Sequence, residues 1–211
     1  LIAVLYYKKK DIYRLLINSL YLKDDYKYFF CIIVCSMPVI VIGAIISLYL
    51  SNIFNSILII IASTSIVGGV LLDFADRDKK NKKINNEITL KIAFFSGLFQ
   101  IFALIPGMSR SGTIITALRI FSINRHESIK FSLLSGIPII IIASMYGIFK
   151  VVGLDKDISY IFFLITFISF ISAFFSIKFL ISWVQKFSFR LFSIYRIIFG
   201  ILIFIYLIYQ A

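Results

Sequence analysis

Apolar residues run along this chain in long, nearly unbroken blocks, and the polar residues collect between them. The blocks at 28–50, 54–75, 128–149, 158–183 and 190–209 are each long enough to cross a membrane core of roughly 30 Å, which takes about 20 helical residues. Five full transmembrane helices follow. Pro38, inside the first block, predicts a kink. The "SNI" at 51–53 turns the chain back into the second block. Residues 1–7, "LIAVLYY", are apolar but too few to cross, and they end at "KKK". A cleaved signal carries its basic residues before the apolar run, not after it. These seven residues therefore read as the end of a transmembrane helix that begins upstream of Leu1. Residues 1–211 are expected to form a single integral membrane domain belonging to a longer protein.

One apolar stretch departs from the pattern. "LIPGMSRSGTII", from Leu104, places a proline, two glycines, two serines and an arginine where lipid is expected. From 92 to 105 a helix rises about 21 Å, and from 113 to 121 about 13 Å, each short of a crossing. Two half-helices meeting at Pro106 and Gly107 describe a re-entrant hairpin over 92–121.

Charge agrees with this. Of the 22 Lys and Arg, twelve lie in 8–27 and 77–91, between apolar spans. Basic loops face the cytoplasm, and anionic lipid headgroups are their natural partner. The linker "KVVGLDKDIS" is charge-balanced and goes outside, while Lys178, Lys186 and Arg190 mark the next turn as inside. The span at 128–149 must then start inside, beside Arg119, Arg125 and Lys130, so 92–121 enters and leaves on one side. With 61% hydrophobic residues and a mean hydropathy of +1.00, the chain is an all-α, polytopic membrane protein. The net charge of +12 does not point to nucleic acid, because no basic stripe is interleaved with stacking aromatics. Cys31 and Cys35 read as small buried hydrophobes, and a single histidine leaves no zinc spacing.

Non-helical backbone at membrane depth is tolerated only where protein or a water-filled cavity surrounds it. The break therefore faces a site. Pro106 ends the incoming half-helix, and Gly107 permits angles that other residues resist. Ser109 is placed to cap the outgoing half-helix or to offer its hydroxyl to a ligand. The amides of Ser111, Gly112 and Thr113 are expected to point into the cavity with the positive end of a helix dipole behind them. Arg110 adds a forked donor set that matches phosphate oxygens. Close packing alone gains nothing from a buried charge, so the combination favours a phosphate or diphosphate carried by an amphiphile. Gln100 is equally a ligand contact or helix glue. Arg196 is a candidate substrate contact, although snorkelling to the interface is the safer expectation. His126 reads as solvated. All ten acidic residues fall in loops or at span ends, so the clamp has no carboxylate at its depth to act as base or to hold a metal.

"FQIFALIPGMSRSGTII", with "HESIKFSLLSGIP" and "FSIYRIIFG", resembles the bacterial undecaprenyl-diphosphatase family, membrane enzymes associated with bacitracin resistance. The resemblance runs essentially from Leu1 to the C-terminus. It implies removal of the terminal phosphate from undecaprenyl diphosphate, which regenerates the lipid carrier of cell-wall precursors. It also implies two inverted repeats, each with a re-entrant hairpin, in the bacterial inner membrane, with a site opening to the periplasm. On it, Ser109 and Arg110 become the catalytic candidates. Gln100, Gly107, Ser111, Gly112, Thr113 and Arg196 become the substrate-binding ones. Thr113 stands one position early for the family's usual threonine. The family's glutamate-rich first motif, with its histidine, is expected upstream of Leu1. A divalent cation, Mg or Ca, is implied for the complete enzyme, with its ligands outside this chain. The partners implied are a polyprenyl diphosphate, membrane lipids and a second copy in a homodimer, with no nucleic acid. This chain alone is expected to bind the lipid diphosphate weakly and to hydrolyse it negligibly. Two rivals stand beside this reading, a polyprenyl-phosphate transporter or flippase, which needs the clamp without carboxylates, and an inactive remnant. A histidine-nucleophile lipid phosphatase is set aside, because the position six residues after Arg110 is Thr116.

Overall fold

The computed structural model describes residues 2–18, 23–49, 57–77, 87–152 and 160–210. The expected turn at 51–53, the 78–86 part of the basic loop and the 153–159 part of the linker lie outside the described residues. Every regular element among those described is helical. The order is α1 (Ile2–Tyr7), α2 (Lys9–Asn18), α3 (Lys23–Tyr49), α4 (Ile57–Asp76), α5 (Leu90–Ile101), a 3-10 turn (Phe102–Leu104), α6 (Arg110–Ile120), α7 (Arg125–Leu134), α8 (Gly136–Val152), α9 (Tyr160–Lys186) and α10 (Arg190–Gln210). Among the described residues, five stretches are long and apolar enough to cross a membrane: Tyr26–Ser47, Ile57–Asp76, Arg125–Ile148, Phe163–Trp183 and Arg190–Gln210. The polypeptide is an all-α, multi-pass membrane protein.

Burial is inverted relative to a soluble domain. Large apolar side chains such as Phe74, Phe163, Phe167 and Ile208 face outward, while Ser36, Ser65, Ser96, Gln100, Thr116 and Ser132 are buried. Lipid solvates the first group, and close helix–helix packing encloses the second.

Contacts fix the directions of the helices. Cys31 donates through Sγ to the Ile88 carbonyl at 3.3 Å, Gly97 rests on the Cys35 backbone and Gly43 on Leu104, so α3 and α5 run parallel from one face. On α4 and α10, Asp76 pairs with Phe189, Gly69 with Ser193 and Gly200 with Ala62, an antiparallel pair. The hairpin of α5 and α6 sits between α3 and α4, α5 against the first and α6 against the second. Ile88 before α5 and Leu118 near the end of α6 share one buried cluster with Cys31 and Ile123, so the hairpin enters and leaves at one level, as its length demands.

Two features of that level hold the hairpin. The end of α6 is a Schellman turn: Ser122 at φ +64° donates to Arg119 O at 3.0 Å, and Ile123 to Leu118 O at 3.0 Å. Asp76, buried at the end of α4, accepts from Arg119 Nε at 2.8 Å, Arg125 Nε at 3.0 Å and the Phe189 amide at 3.0 Å. One carboxylate thus ties α4, α6, α7 and α10 together.

The third span differs from a plain helix. It is two helices, α7 and α8, interrupted at Ser135. Pro138 has no N–H for the Leu134 carbonyl one turn back, and the neighbouring Ser135 carbonyl lies 2.8 Å from Ser36 Oγ on α3. In α3, by contrast, the helix runs through Pro38.

Candidate functional site

The hairpin breaks where expected. After the 3-10 turn the chain leaves the helix, and α6 restarts at Arg110. Thr64 Oγ1 on α4 donates to the Pro106 carbonyl at 2.6 Å. Thr64 and Asp76 stand twelve residues apart on α4, about 18 Å of rise, so the break lies well inside a core of roughly 30 Å. Gly107 has φ +88°, and a Cβ there would run into Thr64 Oγ1 and the Ile61 backbone. Only glycine meets both demands.

Ser109 carries φ +49° and ψ 108°, an outlying conformation for a residue with a side chain. Such strain costs on the order of 1–3 kcal/mol and collects at functional sites. Its Oγ caps α6 by accepting from Gly112 N at 3.3 Å, while its O–H proton remains free to turn toward a ligand. The expected set of open amides is corrected here. Gly112 N is used by the cap, and Thr113 N donates to Ser109 O at 3.0 Å. Of the three expected amides, only that of Ser111 belongs to the first-turn donors that α6 does not itself satisfy; the Arg110 amide is its companion. The Thr113 hydroxyl donates to Arg110 O at 2.8 Å, so it serves the helix.

Arg196 does not snorkel. From α10 its Nη2 donates to Gly107 O at 3.1 Å and to Thr64 O at 3.5 Å. The guanidinium lies against Gly68, where a Cβ would overlap it. The point a Cβ on Gly112 would occupy lies 3.1 Å from Arg196 Nη1 and 3.2 Å from Ser109 Oγ, so the two groups face each other across the glycine. Beside them opens a groove of about 290 Å³. Its lining is almost wholly apolar, with Val67, Leu71, Phe99, Phe102, Ile105 and Met108 as its wall, and Gly112, Thr113 and Arg196 bound it where it meets α6 and α10.

Arg110 and Gln100 lie elsewhere. Neither lines this groove, which corrects the expectation of one clamp around the free amides. The Arg110 guanidinium turns toward the α7–α8 interruption, against Gly136. Its Nη1 is buried with no hydrogen-bond partner among the described residues. Gln100 is fully buried on α5, and neither atom of its amide has a partner among the described residues. Ser96, one turn earlier on α5, is in the same condition. A buried guanidinium nitrogen and a buried amide left unpaired are each costly; the guanidinium and the amide nitrogen call for acceptors, the amide oxygen for a donor.

The described acidic groups gather at the opposite end. Asp76 is taken by its two arginines, and Asp73 by Arg77 at 2.6 Å. Asp11, Glu87 and Glu127 line a separate cavity of about 770 Å³ with Arg14, Lys27, Lys91 and Lys130. Among the described residues no group of three or more His, Cys, Asp or Glu could hold a metal ion. A divalent cation therefore does not fit the residues around the break.

Sequence reasoning passed over Thr64, Gly68 and Gly136. For Gly68 and Gly136 the signal was present, as glycines inside apolar spans with no turn to explain them, which mark close approach of another group.

Similarity to known proteins follows the same residues. A family model described as bacitracin resistance protein BacA matches residues 1–202. An undecaprenyl-diphosphatase of Pelagibacter ubique is 37% identical over 206 residues, covering 97% of this chain and 78% of its own length. One from Prochlorococcus marinus is 35% identical over 216 residues, 95% of this chain and 79% of the relative. One from Campylobacter jejuni is 40% identical over 180 residues, 82% of this chain and 66% of the relative.

Proposed function

The chain belongs to the bacitracin resistance protein BacA family, and we propose that its reaction is hydrolysis of undecaprenyl diphosphate to the monophosphate and inorganic phosphate. The observation that carries this reading is the broken hairpin itself. Arg196 and the Ser109 hydroxyl both lie close to Gly112, where α6 borders an apolar groove, and Arg110 leaves the first turn of the same helix toward Gly136. An amphiphile whose phosphates sit beside a prenyl chain matches that layout.

The residues divide the binding work. Arg196 and Ser109 meet phosphate oxygens beside Gly112, next to the groove, and the helix dipole of α6 favours the negative charge. Arg110 grips the diphosphate from its place beside Gly136 and offsets the charge that develops on the transferred phosphoryl oxygens. Val67, Phe99, Phe102 and Met108 accompany the first prenyl units, and lipid receives the rest. Gly107 contributes shape, because its carbonyl is occupied by Arg196. Activation of water belongs to none of these groups, and no step here passes through a metal. The site opens to the periplasmic side of the inner membrane, since the basic loops lie at the far end of α4 from the break.

The absence of a carboxylate at the break, among the described residues, favours one rival: a polyprenyl-phosphate carrier. Vesicles holding the purified protein and undecaprenyl diphosphate in one leaflet separate the two. Hydrolysis predicts inorganic phosphate released above the protein-free background, slowly because none of these groups activates water, and a return to background in Arg110→Ala. Appearance of intact diphosphate lipid in the opposite leaflet, without phosphate release, would favour the carrier.

A further inference from the structure

We propose that Gly136 is a positioning residue for Arg110, and that the space left by its missing side chain fixes where the guanidinium is held. The inference rests on the reading of Arg110 as a phosphate-gripping group. A Cβ built on Gly136 would collide with Arg110 Nη1, Nη2 and Cζ, and these are the three nearest atoms to that point. The backbone supplies no reason for glycine. Gly136 opens a 17-residue helix, and its φ is outside the left-handed region. There glycine is inferior to alanine in helix propensity. What requires glycine is room for a charged group that comes from another helix.

The niche is firmly built. Ser36 on α3 bonds the Ser135 carbonyl at 2.8 Å, and Pro138 keeps the α7–α8 junction from closing into one regular helix. The junction therefore stays where α6 can reach it. Arg110 leaves α6 at its first residue and ends in the niche with Nη1 unpaired among the described residues. A guanidinium held at a known place with Nη1 unspent among the described residues is ready for an anion. A methyl group at position 136 takes that place away while leaving the backbone of the site untouched.

The test is a double-mutant cycle on the whole chain in lipid nanodiscs, read as the dissociation constant for farnesyl diphosphate, a short polyprenyl diphosphate. Gly136→Ala is expected to weaken binding about tenfold to a hundredfold. Arg110→Ala is expected to weaken it at least as much, and Gly136→Ala to add nothing on that background. The thermal midpoint supplies a second readout. With Arg110 already removed, Gly136→Ala should hold or raise it, because the nearest obstacle is gone and alanine favours the helix. If Gly136→Ala alone fails to fold, the pair with Arg110→Ala should fold again; a pair that stays unfolded overturns the inference. It is equally overturned if Gly136→Ala is neutral while Arg110→Ala is not, or if both backgrounds lose the same factor. If Arg110→Ala itself leaves affinity unchanged, the phosphate-gripping reading fails first, and this inference with it.

Discussion

Ser109 shows how much one residue is asked to do. It is strained, it caps α6, and its hydroxyl faces Arg196 across Gly112. The two roles separate by substitution. Ser109→Ala removes the hydroxyl and keeps the strain, so it should lower stability by about 1 kcal/mol. Ser109→Gly removes both, and by thermal unfolding it should be the more stable of the two. Both should lose affinity for lipid diphosphate alike. Gly107 is the converse case, where backbone and space both exclude a side chain. Gly107→Ala should lower stability by about 1–3 kcal/mol, read as a fall in the thermal midpoint. Much at this scale was legible in the sequence. Pro106, Gly107 and Ser109 announced the break because their backbone preferences are local. The directions of Arg110 and Arg196 were not, since a long side chain goes where another helix leaves room, and that room comes from Gly136 and Gly68 in distant segments.

At the scale of elements, the hairpin is held at both ends by different chemistry. Its break is fixed by Thr64 bonding the Pro106 carbonyl, and its base by Asp76 gripping Arg119 and Arg125. Removing one partner of a buried charge cluster is costly because the others stay behind without compensation. Asp76→Asn should therefore lower stability by about 3–5 kcal/mol, measured by denaturation in detergent. Span length and loop charge were enough to predict a re-entrant pair here. They did not reveal that the third span is two helices, because a 24-residue apolar run reads the same whether or not Ser135 interrupts it. Pro138 was the available sign.

For the molecule as a whole, membrane class and helix number follow from apolar blocks that no soluble core could use. The orientation we propose rests on the basic loops. Cys31 and Cys35 are buried and should give no background with a membrane-impermeant thiol reagent. Arg77→Cys should then react only from the cytoplasmic side, and Tyr146→Cys only from the periplasmic side; the reverse pattern would invert the assigned topology. Orientation matters because the break sits beyond the midpoint of α4 from the basic end, and the lipid must reach it from there.

The central claim is that two guanidinium groups at a broken helix pair hold the phosphates of a polyprenyl lipid. Its most direct measurement is the affinity for undecaprenyl diphosphate against undecaprenol in nanodiscs, for the unmodified chain and for Arg110→Ala/Arg196→Ala. The account predicts a preference for the diphosphate of about tenfold or more in the first, and near equality in the second. A preference that survives the loss of both arginines would contradict it.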